Sequence, residues 1–266
     1  MILSHRAALG GVQLDSVDPR IMVKGVATQA PREQEITAKK SGDGLRYIET
    51  RRESLEVTVR FGLRIFDDDM DEREELMEAV MAWANNLPGW LTTTQKPGRR
   101  LWVEKVTQPA PGDPYEWTNE YTLTFRAMAI PYWMDSTATS ATLTSGNNNS
   151  KTMNIPGNME TPLEMELTNS GLLEMSEMEI SVAEGDVFYF TSLGLGVGEK
   201  LVISHTADGF LQIRIKGTND EYRDAMDKRS TESTDELMVP PGNSRTITIT
   251  AGGTVTGTIS CYGRYR

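Results

Sequence analysis

The sequence predicts a mainly β protein made of two domains in tandem, with one prominent helix in the first domain. The chain has 266 residues, too many for one small sandwich and enough for two domains that each bury a core. Short segments that alternate apolar and polar residues recur along the chain. After Trp133 the composition shifts to Ser, Thr and Asn, which predicts domains at residues 1–133 and 134–266.

Two predicted strands of the first domain flank a long charged segment. Residues 20–28 and residues 55–66 carry the strand patterns. Between them, residues 31–52 are rich in charge and poor in apolar side chains, with a Ser-Gly-Asp-Gly turn signal at residues 41–44. This segment is predicted to form a long projecting hairpin or loop. Because such loops are uncommon inside compact domains, we expect a neighbouring subunit to contact it.

The predicted helix follows the second of these strands. Asp67, Asp68 and Asp69 are placed to cap its N-terminus. Its apolar stripe at helical spacing consists of Leu76, Met77, Val80, Met81 and Ala84. Pro88 and Gly89 are predicted to end it.

Short strands complete both domains. In the first domain they are predicted at residues 89–92, 100–106 and 119–129, with a turn-rich connection at residues 109–114. In the second domain, residues 146–150 are predicted to be a loop between two short strand-like pieces. Further strands are predicted there at residues 163–167, 177–182, 187–191, 200–204, 210–216, 246–250 and 254–262. Seven or more short strands predict a β-sandwich.

Charge and composition argue against several classes of protein. The formal net charge is −11, and residues 135–266 alone carry 10 basic and 18 acidic side chains, which opposes a nucleic-acid-binding surface. The longest apolar runs are too short to span a bilayer, so the chain is expected to be soluble. The N-terminus lacks a secretory pattern, which predicts folding in a cytoplasm. The single cysteine, Cys261, excludes an intrachain disulfide and is expected to be a core residue.

Few residues suit catalysis or metal binding. His5 and His205 are the only histidines, and no Gly-x-Ser-x-Gly motif accompanies them, so His205 is expected to be a solvated loop residue. Asp67, Asp69, Asp71 and Glu78 match four ligand positions of an EF-hand loop. However, Glu72 occupies the position that needs glycine, so helix capping is the favoured interpretation.

A glycine-rich run does not match a dinucleotide-binding motif. Gly194, Gly196 and Gly198 lie before a predicted strand, whereas a dinucleotide site needs a helix there, so a mobile hairpin loop is favoured. The sequence therefore predicts no cofactor, no metal and no enzymatic activity.

Two alternatives stay open in the second domain. Glu164 with Glu166, and Glu177 with Glu179, are acid pairs on one strand face, as a glycosidase or an ordinary solvated strand would have. A sugar-binding role would use exposed aromatic rings, and the candidates are Tyr222, Tyr262 and Tyr265. The alternative function is therefore a carbohydrate-binding module or adhesin that attaches to a host surface.

Several segments, in order, resemble the distal tail proteins (Dit) of siphophages that infect Gram-positive bacteria. The first are the helix with Trp83 near its end and the Leu-Pro-Gly-Trp-Leu and Pro-Gly-Arg-Arg-Leu-Trp-Val segments at residues 87–91 and 97–103. The others are the aromatic junction at residues 125–133, the Asn-x-x-Gly and Thr-Pro signature at residues 154–162, Asp208-Gly209, and residues 237–249 with a Pro-Gly-Asn turn. Together these segments extend over most of the chain.

The resemblance implies a fold and a function. It implies an N-terminal, β-sandwich-like ring domain with one helix and a projecting hairpin, followed by a C-terminal galectin-like β-sandwich. It implies a homo-hexameric ring at the virion tail tip, made in the bacterial host cytoplasm. The implied partners are the tail tube protein, the tape measure protein and the tail-associated lysin or receptor-binding protein, and the ring would join tube to baseplate. A host surface carbohydrate is a further possible ligand, and no membrane or nucleic acid is implied.

In that family a belt-like segment reaches the adjacent subunit, and residues 31–52 are similar in position. Their charges alternate in sign, which suits ion pairs between subunits better than burial within one domain. The residues predicted to make intersubunit contacts are Arg32, Glu33, Glu35, Lys39, Lys40, Arg46, Arg51 and Arg52. A solvated loop is the alternative interpretation.

Overall fold

The chain divides into two compact units, Met1–Met134 and Asp135–Tyr265. The structure is a computed structural model that describes residues 5–29, 33–39, 45–52, 54–65, 70–111, 120–183 and 185–266. Both units consist mainly of β-strands, and the described residues include one α-helix, α1, at Met70–Ala84. The predicted mainly β fold class with one helix is confirmed.

The first unit is built from two antiparallel sheets and α1. Its strands are β1 Ala7–Leu9, β2 Val12–Gln13, β3 Ile21–Gln29, β4 Glu33–Lys39, β5 Leu45–Arg52, β6 Leu55–Leu63, β7 Gly89–Thr93, β8 Arg99–Val103, β9 Lys105–Val106, β10 Ala110–Pro111 and β11 Glu120–Ala127, and β12 Trp133–Asp135 crosses the boundary between the units. One sheet contains the order β2–β1–β7–β8, and the other has the order β10–β11–β6–β3, with β9 on β11. Strands β4 and β5 form a separate pair.

Alternation along β6 and β11 gives the first unit a buried sheet face. Val57, Val59 and Phe61 of β6 are fully buried, as are Leu123 and Phe125 of β11, and the residues between them are more exposed. Since successive side chains of a strand point to opposite faces, one face of this sheet is buried and the other is polar.

The buried face of α1 differs in part from the predicted stripe. Leu76, Val80 and Ala84 are buried as predicted, but Trp83 is buried with them, and Met77 and Met81 are only partly buried. Trp83 lies seven residues after Leu76 and three after Val80, which is the same side of a 3.6-residue helix, whereas the two methionines flank that side. The proposed cap at Asp67–69 lies outside the described residues.

An arginine fixes the first turn of α1 to the segment before β3. The Arg20 guanidinium donates to Glu72 Oε1 at 2.6 Å and to Asp18 Oδ2 at 2.8 Å. The hydrogen bonds from Arg20 lower the pKa of Asp18 to about 2. This network ties the start of the helix to the entrance of β3.

The second unit contains one large antiparallel sheet and a separate pair of short strands. Its strands are β13 Thr139–Ile155, β14 Thr161–Pro162, β15 Glu164–Asn169, β16 Met175–Val182, β17 Val187–Leu195, β18 Lys200–His205, β19 Leu211–Lys216, β20 Tyr222–Asp224, β21 Met238–Val239, β22 Gly242–Cys261 and β23 Arg264–Tyr265. The large sheet has the order β17–β16–β22–β15–β18–β19–β20, with β13 also on β22, and β14 pairs with β21 in a separate two-stranded sheet. Cys261 is buried in the core of this unit, as predicted.

A long bent strand organises the second unit. The predicted strands at residues 246–250 and 254–262 are one strand, β22, which pairs with β16 along residues 247–251 and with β15 along residues 255–260. Gly252 and Gly253 lie between these two stretches. The sheet therefore has two halves that share β22, and a single apolar cluster contains Ile180 and Ile249 from one half and Ile203 and Ile213 from the other.

The predicted loop at residues 146–150 is part of the same bend. It lies inside β13, which runs unbroken beside β22, and the pairing shifts register at Gly146 and Asn148, opposite residues 250–255. The Asn149 side chain is buried and donates to the carbonyl oxygens of Gly146 and Val255. Bulges of this kind bend a strand without ending it.

Candidate assembly segment and surface chemistry

The predicted belt-like segment contains a two-stranded antiparallel hairpin. Strands β4 and β5 pair in the register Glu33 to Arg52 through Lys39 to Leu45, with an irregularity at Ile36. Of the eight predicted contact residues, six lie on these strands and two, Arg32 and Lys40, lie outside the described residues. The six are Glu33, Glu35, Lys39, Arg46, Arg51 and Arg52.

This hairpin is a two-stranded sheet of its own among the described residues. In the described part of the chain β4 and β5 pair with each other and with no third strand. Each strand is about 25 Å long at about 3.3 Å per residue. A two-stranded hairpin alone is marginally stable in water, so the pair needs additional contacts to hold its shape.

A half-buried aromatic cluster lies on the outer face of β7 and β8. The rings of Trp90 and Trp102 meet edge to face at 5.1 Å, and the Arg100 guanidinium lies 4.1 Å from the Trp90 ring. Leu91 and Leu101, which alternate with these residues, are buried in the core. Trp and Arg are enriched where proteins meet, so this face suits an interface. In the sequence these residues carry only the family resemblance, and their common face follows from the pairing of β7 with β8.

The carboxylates proposed for an EF-hand do not form a cage in the described residues. Asp71 and Glu78 lie within the continuous helix α1, and Asp67 and Asp69 lie outside the described residues. No group of three or more His, Cys, Asp or Glu side chains that could hold a metal occurs among the residues described. Within the same residues, no helix has both the length and the apolar character needed to cross a membrane.

His205 is half-buried at the end of a strand, whereas it was predicted to be a solvated loop residue. It ends β18, and both ring nitrogens are buried without a hydrogen-bond partner among the described groups. Burial, with a smaller contribution from Arg264, lowers the pKa of His205 to about 4. With both ring nitrogens buried, the imidazole is not placed to take a proton from a substrate.

The burial of His205 should make the stability of the second unit depend on pH. In the unfolded chain His205 has a pKa near 6.5, so the unfolded state takes up the proton first as the pH falls, and the folded state follows only near pH 4. Between about pH 7 and about pH 4.5 we expect the wild type to lose about 1–3 kcal/mol that a His205→Gln variant does not lose. Urea unfolding of both proteins, followed by far-UV circular dichroism, measures this difference. Parallel pH dependence in the two proteins would contradict the assignment.

The acid pairs of the second unit have different surroundings. Glu166 forms an ion pair with Lys200. Glu177 and Glu179 lie along one face of β16, next to each other on the same strand. A glycosidase needs its carboxyl groups on opposite sides of the scissile bond, and neighbours on one strand do not provide that arrangement.

The predicted sugar-stacking tyrosines differ in exposure and in the groups that they contact. Tyr222 is 53% exposed, and its ring is within 5.0 Å of the Arg214 guanidinium and 5.8 Å of the Lys216 ammonium group. The Tyr265 hydroxyl donates to Asp135 Oδ2 at 3.2 Å. Tyr262 is half-buried.

Glycine supports a tight connection in the predicted glycine-rich run. Gly194 and Gly198 have positive φ angles of 62° and 78°, which glycine adopts readily, and the segment connects β17 to β18. The Glu199 carboxylate accepts from the Gly196 N–H at 2.7 Å and from Arg223, so the connection is closed by its own side chains.

The fold matches two solved phage structures over almost their whole lengths. The crystal structure of the SPP1 Dit protein, described as a paradigm of the hub adsorption apparatus in phages that infect Gram-positive bacteria, is 14% identical, and the match covers 96% of this chain and 98% of that chain at a TM-score of 0.66. A chain of the phage P2 baseplate, in its activated conformation with Ca, is 8% identical, with 99% and 98% covered at a TM-score of 0.50. No protein-family model and no curated protein sequence matches the chain. The chain therefore has the fold of the phage distal tail (Dit) hub protein, as the resemblance implied.

Proposed function

We propose that this chain is a structural component of a siphophage tail tip, a distal tail protein that forms a hexameric ring. The ring would join the tail tube to the baseplate and its receptor-binding or tail-associated lysin proteins, around the tape measure protein. The observation that carries the proposal is the fold match, which spans 96% of this chain and 98% of a phage hub protein. The role is one of assembly, not of catalysis.

The two-stranded hairpin of β4 and β5 supports the proposal that copies of the chain contact each other. A pair of strands without a third strand gains stability if an adjacent subunit covers it. The contact would join the hairpin of one copy to a different surface of the next copy. Contacts between unlike surfaces produce a closed ring when the rotation between copies closes.

The aromatic cluster of Trp90, Arg100 and Trp102 supplies a second surface that suits assembly. Half-buried aromatic rings beside an arginine are typical of the residues that contribute most to protein interfaces. Either the next copy or another tail protein would cover it. The overall acidity of the chain, −11, matches a role among proteins rather than on nucleic acid.

The purified chain should assemble into a ring with six-fold symmetry. We expect a solution mass six times that of the 29.6 kDa chain by light scattering, and a ring with a central channel in electron micrographs. A strictly monomeric protein at micromolar concentration, with no ring after the tail tube protein is added, would contradict the proposal.

Removing the hairpin should abolish this assembly. Since Gln29 pairs with Glu56, replacing residues 31–54 by an Asn-Gly turn keeps β3 and β6 paired while it deletes β4 and β5. We expect this variant to be monomeric. A variant that removes two charges, Arg51→Gln with Arg52→Gln, should assemble more weakly than the wild type. Its assembly should also be less sensitive to salt, because two of the proposed ion pairs are lost. The control is the unfolding transition of the first unit, which should be preserved in both variants. If the ring forms unchanged without the hairpin, the hairpin has no role in assembly.

A further inference from the structure

A shallow groove of about 330 Å³ lies on the face of the second unit that points away from its core. It crosses three neighbouring strands, β17, β16 and β22. Met178, Phe188, Phe190 and Ile249 of these strands face the core, and the residues that alternate with them face the groove. The groove-facing side chains are Glu177, Glu179, Tyr189, Thr191 and Thr250.

The register arranges these side chains in rows. Glu179 lies opposite Tyr189 on one side and opposite Thr250 on the other, and Thr250 in turn lies opposite Asn148 of β13. This row therefore presents an aromatic ring, a carboxylate, a hydroxyl and an amide on four adjacent strands, about 14 Å from end to end at about 4.8 Å per strand.

The next row contains the depression itself. Glu177 lies opposite Thr191. On its other side β22 has Gly252, where a Cβ would meet the Glu177 carbonyl oxygen at 3.6 Å, an ordinary van der Waals contact. Because this position has no side chain, the Glu177 carboxylate borders a hollow.

The chemistry of the groove favours a ligand with many hydroxyl groups. Its lining has no Lys, Arg or His, and within the described residues neither Glu177 nor Glu179 takes part in a salt bridge. A carboxylate accepts hydrogen bonds from two neighbouring hydroxyls at once, and Thr191 and Thr250 both donate and accept. The Tyr189 ring offers an apolar face to the C–H groups of a sugar. Phosphate or carboxylate polymers would be repelled by both carboxylates.

The other half of the sheet lacks these features. On its outer face Glu166 pairs with Lys200, and Arg214 and Lys216 lie over the exposed ring of Tyr222. Glu166 and Lys216 are each matched there by an ion pair within the protein. Tyr222 is therefore a suitable control for Tyr189, with the same side chain on the same sheet.

We propose that the groove formed by Glu177, Glu179, Tyr189, Thr191 and Thr250 binds a neutral oligosaccharide. The length of the row suits several sugar units rather than a small cation, which would leave the ring, the hydroxyls and the amide unused. The site lies within the second unit and does not depend on the proposed ring assembly.

Titration with defined sugars tests this proposal on the full chain. Ligand-observed NMR would use maltotriose, cellotriose and chitotriose as neutral probes, an oligomer of glycerol phosphate as an anionic probe, and spermidine as a cationic probe. We expect at least one neutral trisaccharide to bind with a Kd of about 1 mM. Tyr189→Ala should weaken this binding by about tenfold, and Glu179→Gln should weaken it about threefold. Tyr222→Ala should leave it unchanged.

The other outcomes overturn the proposal. Binding of spermidine alone would make the groove a cation site, binding of the glycerol phosphate oligomer alone would contradict the charge argument, and silence of all neutral probes would remove the site. Loss of binding in Tyr222→Ala but not in Tyr189→Ala would place the sugar on the other half of the sheet. Far-UV circular dichroism and the solution mass of each variant show that fold and assembly are intact, so failure here is separable from failure of the ring.

Discussion

Asn169→Asp should strongly destabilise the second unit, although it only replaces the side-chain NH2 group by an oxygen. Asn169 is fully buried, and its amide nitrogen donates to the carbonyl oxygens of Leu173 at 2.9 Å and Leu195 at 2.8 Å. In the variant a carboxylate oxygen would face those two carbonyl oxygens. Two unsatisfied buried acceptors and a desolvated charge together cost about 4 kcal/mol or more.

The hydrogen bonds of Asn169 explain why the site accepts no simple replacement. Its Oδ1 accepts from Gly171 N–H, and its backbone bonds to Gly198 and Glu199 join the same two connections, β15 to β16 and β17 to β18. Leu172 and Leu173 on the first connection are 95% and 81% exposed, so apolar packing does not hold it. Hydrogen bonds of Asn169, rather than apolar packing, therefore hold the first connection in place.

The two units give separate signals for this measurement. All five tryptophans lie before residue 134, so tryptophan fluorescence reports the first unit while far-UV circular dichroism reports both. In urea the second unit of the Asn169→Asp variant should unfold at a low denaturant concentration, as seen by circular dichroism. The fluorescence transition of the first unit should be unchanged. Its penalty should shrink as the pH falls toward 4, because the buried carboxyl then carries a proton that it can donate. An Asn169→Ala variant, which has no charge, should show no such recovery. A wild-type urea midpoint for Asn169→Asp would refute the role.

The sequence around Asn169 shows why some features could not be predicted. Asn-Ser-Gly at residues 169–171 is typical of an exposed turn, and composition does not reveal that the first residue is buried beneath the turn. The signal lies in two connections that are distant along the chain and adjacent in the fold. Local patterns predicted the strands on either side but not this contact.

The bend of the second unit was missed for a related reason. Gly252 and Gly253, and Gly146 with the asparagines after it, are loop signals in isolation. Here they lie opposite each other in two long strands, and they bend both strands so that the sheet closes over one core. Alternation along β6 and β11 was sufficient to predict their buried faces, because that information is local.

The candidate sites also differ in how far local sequence predicts them. The hairpin of β4 and β5 was predicted from charge and a turn signal, both of which are local, while its contacts would lie between copies of the chain. The groove combines residues from β16, β17 and β22, whose neighbourhood follows from the sheet order. Glu177 and Glu179 could be predicted as an acid pair from the sequence, but Tyr189 is placed beside them only by the pairing of β16 with β17.

Trp83→Ala should destabilise the first unit by about 3–5 kcal/mol, the typical cost of removing a large buried aromatic side chain. Trp83 is 3% exposed, and its ring meets Phe125 of β11 edge to face at 5.7 Å. Its Nε1 donates to the Val12 carbonyl oxygen of β2 at 2.8 Å. One side chain therefore connects α1 to both sheets of its unit.

A matched variant separates packing from hydrogen bonding at this position. Trp83→Phe keeps an aromatic ring but leaves the Val12 carbonyl oxygen without its donor, so it should cost about 1–3 kcal/mol, less than the alanine variant. Urea unfolding followed by the fluorescence of the remaining tryptophans measures both values, and the transition of the second unit serves as the internal reference. Equal stability of the wild type and Trp83→Ala would mean that α1 is not held to the sheets through this residue. If the alanine variant loses stability and also no longer forms the hexameric ring, then assembly of the ring depends on correct packing of α1 through Trp83.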